Sequence, residues 1–310
     1  MCCRDVLRWG NVINHQICRA KRQHMTIHFH IFFIVFNLLL YTSAVAQIAE
    51  TDPRHENHYK YVAPIVTDEI KVEITNMHSQ MNFSQIKLRI TNKTNDFMAL
   101  KSDEIVFLIN GIDYRPQGKV YMIGPRDYIT RTIRVDGDNR FHVGSYSVSF
   151  GGFYKIPTDG KTKLAENFTL PDSTNNFEFE AFQCKVAGRI VQNTQITELP
   201  LRCTYTGNKV GLIEASRISV KLEDGQEFAN INTGSKIKNL VTTGSTDVLF
   251  PGEQTKITSV FRIPAKTADM QFSVLSVNFN DTFSETELIP VLIKGQRFVL
   301  DESKTALKNK

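Results

Sequence analysis

The sequence predicts an all-β protein of two tandem β-sandwiches that arose by internal duplication. Three observations predict it: short segments that alternate apolar and polar residues, five sequence echoes in the same order in both halves, and hairpin turn signals at matching places. No helical periodicity of any length is visible.

The alternation is clearest at Ile86, Leu88 and Ile90, which interleave with Lys87, Arg89 and Thr91. Leu199, Leu201, Cys203 and Tyr205 interleave with Pro200, Arg202 and Thr204 in the same way. Successive strand side chains point to opposite faces, so each segment has one apolar and one wet face.

The echoes give the architecture. "LRIT" (88–91) returns as "LRCT" (201–204), and Asn95 returns as Asn208. Ile105, Phe107 and Ile109 return as Ile218, Val220 and Leu222 at the same offset. "NGIDY" (110–114) matches "DGQEF" (224–228), "TIRV" (132–135) matches "VFRI" (260–263), and "YSVSF" (146–150) matches "LSVNF" (275–279). Asn110-Gly111 and Asp224-Gly225 are signals for tight turns, since a type I′ turn needs positive φ at both central residues. The expected units are 48–172 and 173–298, divided within "LPDSTNN" (170–176). Residues 229–248 have no counterpart in the first unit and predict a long loop or an added hairpin. The tail, residues 299–310, reads as polar and mobile.

The N-terminus predicts export. The run Ile31–Tyr41 is apolar, and Thr42-Ser43-Ala44-Val45-Ala46 follows with small residues suited to cleavage. A membrane span needs about 20 apolar residues, more than this run has. Residues 1–46 are therefore expected to be a leader, with Met25 an alternative start. The full chain carries a formal charge of +5, but without the leader 32 basic and 31 acidic residues leave +1. A nucleic-acid partner would require a basic face or cluster, and the composition offers no excess for one. The expected location is periplasmic, cell-surface or secreted, with no membrane span after cleavage.

The repeated order of strand, polar turn, "[ND]-G-x-[DE]-[YF]" hairpin, Gly/Pro turn and aromatic-ended strand resembles immunoglobulin-like domains of bacterial exported and envelope proteins. The resemblance implies tandem sandwiches and no catalytic residues. A sandwich-core tryptophan and a disulfide in both repeats are missing, so antibody-type domains are not implied.

Chemistry-bearing residues are few. If Val186–Val191 and Gln195–Leu201 form a hairpin turning at Asn193-Thr194, positions summing to 387 face each other, Cys184 and Cys203 among them. In an oxidising compartment they could form a disulfide; two buried free thiols fit the pattern as well. No CxxC supports a redox role. His55 and His58 lie three apart, but their segment reads as irregular and solvated. "GSYSVSFGG" (144–152) is no G-x-S-x-G and falls on a repeated strand. Arg89 with Arg202, and Arg134 with Arg262, recur on wet faces and could meet an acidic partner or simply keep the sheet soluble. Tyr59, Tyr61, Phe153, Tyr154 and Phe182 could form a binding patch, although Phe-rich strands more often belong to a core. Sequons occur at Asn82, Asn92, Asn167 and Asn280.

No cofactor and no metal are expected. The sequence reads as a non-enzymatic binding or spacer protein, with another protein or a cell-surface polymer as partner. Alternatives are an accessory subunit of an envelope secretion, transfer or surface-fibre assembly, and a hydrolase with an interdomain site.

Overall fold

The computed structural model describes residues 54–309 except 138–139, 164, 166–167, 171–175, 233–235, 238–239, 242–245, 265 and 270–272. The expected leader, residues 1–46, and Asn167 lie outside the described residues. The described chain is nearly all β, in several antiparallel sheets of which none closes on itself.

The first half contains β1 (Asn57–His58), β2 (Ile65–Val66), β3 (Ile70–Gln80), β4 (Phe83–Asn92), β5 (Phe97–Lys101), β6 (Ile105–Ile109), β7 (Ile112–Tyr114), β8 (Val120–Ile123), β9 (Tyr128–Asp136), β10 (Ser145–Phe150) and β11 (Phe153–Ile156). One sheet runs β1-β3-β4-β9, with β2 beside β3. Ile86, Leu88 and Ile90 of β4 are fully buried and Lys87 and Arg89 are exposed, as the alternation demands. Their partners in one core are Val72 and Ile74 from β3 and Ile133 and Val135 from β9. The facing layer pairs β6 with β10 and β5 with β11. A Cβ on Gly152, at φ +78°, would collide with the carbonyl oxygen of Lys101. The glycine pair Gly151-Gly152 therefore lets β10 bend into β11 around the turn Ser102–Glu104.

The second half contains β12 (Lys161–Lys163), β13 (Phe168–Leu170), β14 (Asn176–Phe179), β15 (Phe182–Val186), β16 (Val191–Gln192), β17 (Ile196–Tyr205), β18 (Val210–Glu214), β19 (Ser219–Lys221), β20 (Glu227–Ala229), β21 (Lys236–Ile237), β22 (Leu240–Val241), β23 (Thr246–Leu249), β24 (Gln254–Arg262), β25 (Leu275–Asn278) and β26 (Phe283–Thr286). Here β14-β15-β17 forms one layer, with β24 and β16 also on β17. The facing layer pairs β13-β25-β19-β20 and β12-β26-β18-β23. Within 229–248, β21 and β22 form a small hairpin. Register agrees with the echoes at one telling place: Val148 faces Phe107 in the first half, and their sequence counterparts Val277 and Val220 face each other in the second.

The edge strands cross between the halves. β12 and β13, which a division at 172 places in the first unit, pair with β26 and β25. After the second half, β27 (Ile289–Pro290) and β28 (Gln296–Val299) return to pair with β11 and β10. Phe298 and Val291 enter the first core, and Leu170 enters the second. A third apolar cluster joins the halves: Phe97, Ala99 and Ile156 pack with Val210, Leu212 and Val248. β5 and β18 are consequently buried on both faces, which is why "FMALK" and "VGLIE" show no alternation.

Two local expectations need correction. Asn110 and Gly111 both have positive φ and make the expected tight turn, but in the second copy only Gly225 does, and Lys221 pairs with Glu227 across a longer loop. The polar tail is not loose. Residues Glu302–Lys308 form helix α1, whose start is capped by the Asp301 carboxylate accepting from the Lys304 amide at 3.0 Å. The Thr305 hydroxyl, buried, accepts from the His58 amide at 3.0 Å and ties α1 to β1. The tail looked loose because its anchoring contacts, to His58 among others, are long-range.

Candidate functional site

The sites named from sequence separate into core and surface. β15 and β17 place Cys184 directly opposite Cys203, and the two are joined as a disulfide. The route differs from the expected hairpin. Near the turn Val191 faces Glu198 and Gln192 faces Thr197, two positions out of step with the cysteine register. The turn therefore falls at Thr194-Gln195, where the Asn193 side chain accepts from the Gln195 and Ile196 amides. An irregular segment between β15 and β16 absorbs the difference. Both cysteines are buried, 3% and 0% exposed, so the bond is part of the second core.

His58 is not solvated as expected. It lies in β1, 4% exposed, with its ring stacked on His78 at 5.6 Å. It is buried because α1 and the turn into it lie against β1, with the Asp301 amide donating to the His58 carbonyl at 2.8 Å, which no local pattern announces. Among the described residues no group of three or more His, Cys, Asp or Glu could hold a metal ion.

The aromatic residues do not form a patch. Tyr59, Phe153 and Phe182 are 1%, 2% and 0% exposed and belong to cores, while Tyr61 stands in solvent. Tyr154 is half-buried, and its hydroxyl donates to Glu104 at 2.6 Å. That hydrogen bond, with burial and nearby carboxylates, pushes its pKa up to about 12. Of the sequons, Asn82 and Asn280 are exposed. Asn92 is 1% exposed, and its amide donates to the carbonyls of Asp96 and Gly124 at 2.7 and 2.9 Å, so it serves the fold.

The repeated arginines diverge. Arg89 lies 3.9 Å from Glu73 and 4.2 Å over the Tyr128 ring, and Arg134 pairs with Asp136 and covers the Phe83 ring at 3.9 Å. Arg202 and Arg262 are exposed. Arg202 sits between Lys185 of β15 and Lys256 of β24, each directly opposite it in the ladder. This basic row is the feature that sequence reasoning missed. The pairing of three strands 17 and 54 residues from one another at these positions (202 minus 185, and 256 minus 202) makes it, and no local run of charge announces it.

Two further polar groupings lie at the second half. The Tyr205 hydroxyl donates to Glu285 at 2.6 Å, and Lys163 of the crossing strand β12 pairs with Glu285 at 2.9 Å and with Glu180. Desolvation pushes the Glu285 pKa up, but the Tyr205 and Lys163 hydrogen bonds and the lysine charges outweigh it and hold it below the usual range. A cleft of about 210 Å³ is lined by Thr158, Gly160, Leu212, Arg217, Asp281 and Ser284, among others. Its Arg217 is already engaged by Glu214 at 2.9 Å, and the volume is below that of ordinary small-molecule sites, about 300 Å³ and upward.

No family model and no curated protein matches the chain. Among solved structures, red sea bream transglutaminase aligns at 11% identity and TM-score 0.18, over 73% of this chain and 31% of that one. BuGH86 in complex with neoagarooctaose aligns at 13% identity and TM-score 0.16, over 75% of this chain and 34% of that one. Recombinant pumpkin pro-11S globulin aligns at 9% identity and TM-score 0.15, over 79% and 88%. The chain thus spans about a third of the first two. Likenesses this slight assign no family and no activity.

Proposed function

We propose that the protein is an exported, non-enzymatic binding or spacer module of two immunoglobulin-like β-sandwiches, produced by duplication and held as one piece. The observation that carries this reading is the reciprocal crossing of edge strands. β12 and β13 serve the second half's layer, and β27 and β28 serve the first's. The interface between the halves supports the duplication. Phe97 and Ala99 stand 113 positions before Val210 and Leu212, the same offset as the "LRIT" and "LRCT" echo, and all four lie in the shared apolar cluster. Equivalent residues meeting one another is the pattern of an isologous contact between like units.

A piece fastened at both edges and across an apolar cluster resists hinge motion, which suits holding a bound partner at fixed spacing. The leader pattern and the disulfide fit an oxidising compartment outside the cytoplasm. The test is to express the full chain in its native host, determine the N-terminus of the exported form and identify what co-purifies from the envelope fraction. The expected form begins at Gln47 and brings down a stable partner. A chain retaining residues 31–46, or one that turns over a substrate, overturns the proposal. A stoichiometric set of secretion, transfer or fibre components would instead favour the assembly-subunit reading.

A further inference from the structure

We propose that the protein joins a second copy of itself by trading repeats, so that residues 57–170 of one chain take residues 176–308 of the other as their partner. This rests on the two-unit reading and adds a partner to it. The strands that cross between the halves are counterparts of one another. Lys161 faces Glu285 and Thr162 faces Ser284, while Ile289 faces Lys155 and Pro290 faces Tyr154. Leu170 faces Leu275, and Phe298 faces Tyr146. The crossing residues differ by 128 positions (289 minus 161, 290 minus 162, 298 minus 170), and their hosts by 130, 130 and 129 (285 minus 155, 284 minus 154, 275 minus 146). Ala165 packs against the second core, and Ile293, again 128 positions on, packs against the first. Each repeat therefore ends in the same two-strand arm, and each arm is seated in the other repeat.

Reciprocal arms joined across an apolar contact of equivalent residues are the arrangement of a domain-swapped dimer of like units. Here the two units lie on one chain. The contacts that seat the arms run from one repeat to the other. The Leu300 amide donates to the Gly144 carbonyl and the Asp301 amide to the His58 carbonyl, both at 2.8 Å. Arg297 donates to the Ser145 hydroxyl at 3.2 Å. Lys163 of β12 pairs with Glu285 at 2.9 Å. None of these contacts depends on both repeats belonging to the same chain, and the covalent link between the repeats is residues 171–175.

Trading repeats conserves both arms and the cluster of Phe97, Ala99 and Ile156 with Val210, Leu212 and Val248. Domain swapping is a low-cost route to dimers for this reason. Concentration decides between the closed and the traded form. A short linker holds the attached repeat at an effective concentration of about 1 mM. A second copy competes equally near that concentration. An unrelated strand would have to displace a seated arm, whereas a second copy brings the same arm, Phe298 and α1 included.

The test mixes two full-length variants, S145C and V299C, and refolds them together from urea. Ser145 and Val299 are directly opposite in the ladder of β10 and β28. Neither variant can join these positions within itself, so a peptide linking 145 to 299, identified by mass, reports trading. Acidic pH during refolding keeps thiols protonated and spares the Cys184–Cys203 bond; oxidation follows refolding. The yield is expected to rise about fiftyfold between about 10 µM and about 1 mM, with light scattering placing the linked species at two or more chains. V106C in place of S145C is the collision control, because Val106 faces Ser149 and its strand is two steps from β28. Circular dichroism establishes that these surface variants fold. Absence of the 145–299 link at about 1 mM, or an equal yield from V106C, overturns the proposal. Neither result touches the binding-module reading, which stands or falls on what the envelope fraction yields.

Discussion

Phe298 lies directly opposite Tyr146 in the ladder of β28 and β10, and their ring centroids are 5.1 Å apart. Phe298 comes from beyond the second half, yet it is fully buried in the first core. Folding of the first half is therefore coupled to the last strand of the chain. Phe298→Ala should cost about 3–5 kcal/mol, the range for deleting a buried aromatic side chain. Equilibrium urea unfolding measures it. A loss below 1 kcal/mol would mean that the crossing strand adds little to the first core.

The Cys184–Cys203 bond closes a 19-residue separation within the second core. Cross-linking a loop of that length restricts the unfolded chain by about 3 kcal/mol in the chain-entropy account. The paired substitution of both cysteines by Ala, or reduction in denaturant, should lower the unfolding free energy by that order and move the midpoint down with it. Thiol titration of the denatured, unreduced protein should find neither cysteine free. A midpoint that reduction leaves unchanged would argue that the opposed thiols act only as core residues.

What the sequence disclosed follows from range. Strands such as β4 and β17 are buried on one face, so alternation at Ile86–Thr91 and Leu199–Tyr205 reads directly. The Val148–Phe107 and Val277–Val220 pairings place echoed positions at matching points of the two halves, but which strands pair is not written in the echoes. The crossing of β12–β13 and β27–β28 was not legible, because an edge strand has the same local pattern whichever sheet receives it. The burial of His58 depends on that crossing and was hidden with it. The basic row was hidden for a related reason: Lys185, Arg202 and Lys256 become neighbours only once the strand register is known.

Glu285 links β26 to the crossing strand β12 through Lys163, and to β17 through Tyr205. Its pKa is held below the ordinary carboxylate value in the folded chain. The unfolded chain then binds more protons across the window between the two values. Stability from this group is present above the unfolded value of about 4.3 and is lost as pH falls through the folded one. Wild-type protein should lose stability on acidification from about pH 5 toward pH 3, and Glu285→Gln should flatten that part of the profile while lowering stability at neutral pH. Urea midpoints across the range decide it. Identical profiles would remove Glu285 as a contributor.

Arg131 is charged at a position where the pattern calls for an apolar residue. It lies opposite the fully buried Leu88, on the inward face of β9, with its guanidinium 5.2 Å from the Tyr121 ring. β9 is the last strand of its sheet and nine residues long. A long, regular edge offers unpaired backbone groups to another chain, and an inward-pointing charge is one device that discourages such pairing, since a second strand would trap the charge away from water. In the second half the corresponding edge, β24, is guarded differently: the Asn232 amide donates to the Thr258 carbonyl at 2.7 Å, and the Ile231 amide donates to the Val260 carbonyl at 2.8 Å. Arg131→Val should therefore keep the monomer's fold, or strengthen it slightly, while promoting concentration-dependent association. Light scattering with analytical ultracentrifugation measures this against Arg134→Val, which alters the outward face of the same strand. If Arg131→Val stays monomeric at concentrations where the control does, the charge protects nothing, and its role reduces to packing on Tyr121.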